Sequence, residues 1–106
     1  MSQLSTQNGE AAALNAVETS EGLDIVVRHF LLMDRTVDLL IEKTNSSELW
    51  PELYERALQT LNSLPLSSDE YTLASRRVQN AFAYASNREH GAAAFELRLL
   101  RGQLAA

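Results

Sequence analysis

The sequence predicts an all-α fold, a compact bundle of four helices arranged as two αα-hairpins behind a flexible N-terminal tail. Three observations lead there. Apolar residues recur at steps of three and four over most of the chain, the spacing of one face of a helix. Four Gly and two Pro in 106 residues are too few for the recurrent turns of a many-stranded sandwich or barrel. A hydrophobic fraction of 45% and a charged fraction of 22% are those of a globular chain that can bury a core.

Residues 1–21 are rich in Ser, Thr, Gln, Asn and Ala and short of large apolar groups, so a mobile tail is expected. Within it, Ala11, Ala12, Leu14, Ala16 and Val17 suffice for about two helical turns, too few to hold without support from a partner or the core. Residues 22–106 then form a single helical domain.

Helix one is predicted over residues 22–44. Leu23, Val26, Phe30, Met33, Val37 and Leu40 make one apolar line. Ile25, Leu32 and Leu39 make a second, and Asp24, Arg28, Arg35, Asp38 and Glu42 are left a narrow polar strip. A helix with so broad an apolar arc is expected to be covered on more than one side. Glu21 and Asp24 near its start and Lys43 near its end suit the helix dipole, and Asn45-Ser46-Ser47 supplies the stop.

Ser46 or Ser47 is placed to cap helix two, with Pro51 tolerated in a first turn whose N–H groups lack intrahelical partners. Trp50, Leu53, Tyr54, Ala57, Leu58, Leu61 and Leu64 form its apolar face, and it runs to about Ser63 before Pro65. Ser67-Ser68-Asp69-Glu70 reads as a capping box that opens helix three. Tyr71, Ala74, Val78, Phe82 and Ala85 carry that helix, and Ala81, Ala83 and Ala85 permit a close helix approach.

Asn87-Arg88-Glu89-His90-Gly91 suits a helix end and a short connection, with helix four following over about 92–104. The three-four spacing also passes straight through Gly91, so a long, kinked C-terminal helix is the alternative; one Gly costs only about 1 kcal/mol in a helix interior. The stretch from Val78 to Leu97 resembles the helix, turn and helix of a tetratricopeptide repeat, and Trp50 with Leu53 resembles that motif's opening. Tyr54, Thr60 and Arg98 depart from the pattern where it wants small packing residues, and no functional residue is carried over.

Site chemistry is sparse. With no Cys, disulfides, thiolate nucleophiles and Cys-containing zinc sites drop out. His29 and His90 belong to no metal-binding pair, and each is expected to be a packed or solvated imidazole. Asp34, Asp38 and Glu42 fall at i,i+4 spacing, which can pair carboxylates for acid–base work or a hard cation. No second cluster faces them in the sequence, so a solvated ridge is expected. With no Walker loop, dinucleotide fingerprint or nucleophile elbow, the chain is expected to be neither an enzyme nor a cofactor or metal binder.

Charge is divided unevenly. Residues 1–70 hold 12 acids against 4 bases and residues 71–106 hold 2 against 5, giving −8 and +3. Arg76, Arg77, Arg88, Arg98 and Arg101 are therefore expected to lie across from the acidic helices or face water. Nucleic-acid binding through Arg76, Arg77, Arg98 and Arg101 is disfavoured by a pI of about 4.9. No run reaches the roughly 18 to 20 apolar residues of a bilayer span, and no basic segment precedes an apolar block, so a cytoplasmic protein with no membrane association is expected.

The expected function is a protein-interaction module, such as a regulator, adaptor or secretion-type chaperone, with a protein partner or a second copy held against a surplus apolar face of helix one or helix four. Phe95, Leu99 and Leu100, rimmed by Arg98 and Arg101, are the expected contact. The alternative is a small acidic inhibitor, an immunity or antiactivator protein, covering a basic surface with the ridge from Asp34 through Glu42 and with Glu48, Glu52 and Glu55.

Overall fold

Among the described residues, three short connections join four helices that surround one core in the order of the chain. The computed structural model describes residues 14–105, with side chains from Asp24 onward. Helix α1 spans Leu14–Asn45, α2 Pro51–Leu61, α3 Ser68–Ser86 and α4 His90–Ala105. Each helix packs on its neighbours in the chain, and α4 returns to pack on α1, so the two predicted hairpins close into a four-helix bundle. A tetratricopeptide stack would stay open and keep its end helices apart.

The core follows the first apolar line of each helix. Met33, Val37 and Leu40 of α1 meet Tyr54, Ala57 and Leu61 of α2, Val78 of α3, and Leu97 and Leu100 of α4, all buried. Small side chains let helices approach closely, and α3 and α4 bury alanines on both sides, Ala74, Ala81 and Ala85 on one and Ala93 and Ala94 on the other, while Ala83, expected among them, is exposed. Among the described residues, three threonines are buried in helices. Each satisfies its hydroxyl by donating to the carbonyl four residues back: Thr36 to Leu32 at 2.8 Å, Thr44 to Leu40 at 2.6 Å and Thr60 to Arg56 at 2.8 Å.

The helix ends show where local chemistry decided. The capping box is present as predicted, with the Glu70 amide donating to Ser67 Oγ at 3.1 Å and the Ser67 amide donating to Glu70 Oε1 at 2.8 Å. Neither Ser46 nor Ser47 caps α2; its N-cap is Trp50, whose side chain makes no capping bond, and Pro51 opens the helix. Ser47 instead ends α1. It lies in the left-handed region at φ 61°, its amide donates to the Thr44 carbonyl, and the Glu48 amide donates to that of Lys43, the paired bonds of a Schellman motif.

The same device separates α3 from α4. Arg88 is left-handed at φ 63°, with its amide on the Ala85 carbonyl and the Glu89 amide on that of Tyr84. The long C-terminal helix is therefore not formed, and the break falls at Arg88 while Gly91 sits in the first turn of α4. Helix two ends at Leu61, two residues before the predicted Ser63, and Leu64 is buried in the connection that follows.

Helix α1 starts at Leu14, ahead of the predicted residue 22, and its 32 residues span roughly 48 Å. The 11 residues of α2 reach only about 16 Å. The mobile tail expected over 1–21 falls largely on residues 1–13, outside the described residues. Molecular extents of 53 × 28 × 19 Å follow from α1 being so much longer than its partners.

Candidate partner-binding face

The first buried side chain of α1 among those described is Met33. Upstream of it, Ile25, Val27, Leu31 and Leu32 are exposed, Ile25 by 50% and Leu31 by 59%, while Val26, His29 and Phe30 are half-buried. The reason is length. Helix α4 ends with Leu104 and Ala105 against Phe30, Leu31 and Asp34, and α2 is too short to reach so far. Each half-exposed aliphatic side chain leaves on the order of 1 kcal/mol of burial free energy unrealised.

Two lines of apolar residues were read on α1, and the structure treats them differently. The line through Met33, Val37 and Leu40 enters the core. The line through Ile25, Leu32 and Leu39, which was expected to be covered, stays exposed along its length. These three are seven residues apart, so they stack on one side of the helix with little drift. Arg28 lies three residues after Ile25 and four before Leu32; Arg35 repeats that relation between Leu32 and Leu39. Both arginines are exposed, and neither forms an ion pair among the described residues.

The contact expected on α4 is only partly available. Phe95 is 58% exposed, Leu99 is exposed and Arg98 faces solvent. Leu100 is fully buried at 0% exposure, in the core with Leu97, so it cannot meet a partner. Arg101 is engaged within the bundle, 2.7 Å from Asp38. Arg77 donates to the Leu99 carbonyl at 2.8 Å, and Gln103 donates to that of Glu70 at 2.9 Å, fastening α3 to α4. The complementary halves thus meet as expected through Arg101, while Arg76 and Arg98 remain exposed on separate helices.

Asp34, Asp38 and Glu42 are exposed along α1, with Asp38 held by Arg101. Among the described residues no group of three or more carboxylates and histidines gathers as a metal site. His90 opens α4, half-buried, and its Nδ1 is buried without a hydrogen-bond partner. Trp50, expected on the apolar face of α2, is exposed beneath the Lys43 ammonium, 4.8 Å from its ring centroid, and donates to Glu48 at 2.9 Å.

One further apolar recess lies between α2 and α3. It encloses about 230 Å³ and is lined mainly by Pro51, Tyr54, Leu58, Val78 and Phe82. Tyr54 and Phe82 meet edge to face at 5.2 Å. Burial holds the Tyr54 hydroxyl above its ordinary pKa of 10.0.

Both apolar lines of α1 look alike in the sequence, and only the packing of the other helices against the line through Met33, Val37 and Leu40 distinguishes it from the uncovered line. No helix of the described residues is long and apolar enough to cross a membrane. No protein-family model, curated protein or solved structure matches this chain.

Proposed function

We propose that the chain is a small helical protein–protein interaction module, of the regulator, adaptor or secretion-type chaperone kind, that docks a protein partner and catalyses nothing itself. The observation that supports it is the exposure of four large aliphatic side chains within eight positions of one helix, Ile25 and Leu32 on one flank of Arg28 and Val27 and Leu31 on the other. A helix apolar around most of its circumference is ordinarily surrounded, and exposed apolar surface rimmed by charge marks interaction sites. The reading includes a cytoplasmic setting and moves the contact from α4 to α1.

A photocrosslinking experiment in the native host tests it. Leu31, or Arg76 on α3 as the contrast, is replaced by p-benzoylphenylalanine and the cells are irradiated. A discrete adduct heavier than the chain, formed from position 31 and not from position 76, is the expected result. Equal labelling from both positions, or none from position 31, contradicts the proposal.

A further inference from the structure

We infer that the occupant of the exposed α1 stripe is an amphipathic helix whose apolar residues carry acidic neighbours, and not a second copy of this chain. The inference rests on the interaction reading above and adds the class of partner.

The stripe is a short zipper seam. Ile25, Leu32 and Leu39 recur every seven residues, the period at which one helix keeps another in register. All three are exposed. Beside them, Arg28 and Arg35 occupy the two gaps along one rim, both exposed and outside every ion pair of the described residues. Glu42, three residues after Leu39, closes the same rim. Asp24, four residues before Arg28, opens the rim, which therefore reads acid, base, base, acid, with the two bases at its centre beside Leu32.

A copy of the chain fits this rim badly. The antiparallel pairing that best matches the seam sets Leu32 on Leu32 of the copy and Ile25 on its Leu39. That register brings Arg28 beside Arg35 of the copy, twice by symmetry, and like charges flanking a seam select against the pairing. A foreign helix with leucines at seven-residue spacing and carboxylates opposite Arg28 and Arg35 meets both demands. Its apolar side chains cover the aliphatic seam, and its carboxylates accept from guanidinium groups suited to them.

Two labelled synthetic helical peptides serve as probes. Both carry Leu at seven-residue spacing; one has Glu and the other Lys at the positions facing Arg28 and Arg35. Fluorescence anisotropy with the full chain is expected to show the Glu peptide binding roughly tenfold more tightly, with the gap narrowing as salt rises. The double variant Arg28→Glu, Arg35→Glu, both exposed and so expected to fold, should reverse the preference.

Equal binding of both peptides, abolished by Leu32→Asp, overturns the acidic-partner inference and leaves the interaction reading standing. Binding of neither peptide overturns the inference, and joined to a failed crosslink from position 31 it removes the interaction reading as well. Concentration-dependent dimerisation in sedimentation, abolished by Leu32→Asp, overturns the inference in favour of a second copy.

Discussion

Arg101 of α4 and Asp38 of α1 stand 2.7 Å apart, Nη1 to Oδ1, and tie the last helix to the first across 63 residues of sequence. Both side chains remain substantially exposed, so water and salt weaken the pair. A double-mutant cycle of Arg101→Ala with Asp38→Ala is expected to give a coupling below about 1 kcal/mol in denaturant unfolding. Because Arg101 lies on α4, paired with Asp38 and away from Ile25, Leu32 and Leu39, Arg101→Ala should leave binding at the α1 stripe unchanged.

Neighbouring leucines of α4 should differ sharply in stability. Leu100 is fully buried and Leu99 is exposed. Leu100→Ala is expected to cost about 2 to 5 kcal/mol through lost transfer energy and a cavity, and Leu99→Ala under about 1 kcal/mol. Urea midpoints with unchanged slopes measure both.

Arg88 ends α3 in the left-handed region, where a side chain costs roughly 1 to 2 kcal/mol that glycine avoids. Arg88→Gly should therefore stabilise the bundle by about 1 kcal/mol, less whatever entropy the more flexible unfolded chain regains. A rise in the thermal midpoint checks it. A fall would mean that the arginine side chain contributes more than the strain costs.

Burial raises the Tyr54 pKa. Above about pH 10 the unfolded chain releases this proton before the folded one does, so folding stability should fall as pH rises through that point. Below it the contribution is fully present. Tyr54→Phe keeps the ring against Phe82 and should make the stability loss between about pH 9 and about pH 11.5 shallower. Denaturant midpoints across that window read the difference.

Much of this architecture is legible in the residues. The capping box at Ser67 and Glu70 and the core line through Met33, Val37 and Leu40 follow from local spacing, and both stand as expected. Helix ends set by left-handed residues were harder to read, because Ser47 and Arg88 occupy places where glycine is the usual signal. The exposed stripe of α1 depends on which way each apolar line turns. Ile25, Leu32 and Leu39 are as apolar as Met33, Val37 and Leu40, and what separates them is that one line turns into the bundle and the other away from it, even at Leu39, beside buried Val37 and Leu40. Leu100 was misplaced for a related reason: α4 is apolar around much of its girth, and only packing shows that Phe95 turns outward while Leu100 turns in.

Backbone amide hydrogen exchange along α1, with and without the Glu-rimmed helical peptide, tests most directly whether the uncovered stripe is a docking surface. Slowed exchange concentrated in residues 24–39, with the Phe95 region of α4 unchanged, is the predicted result. Protection appearing around Phe95 and Leu99 instead, or no change in α1 at peptide concentrations that saturate the anisotropy signal, would contradict it.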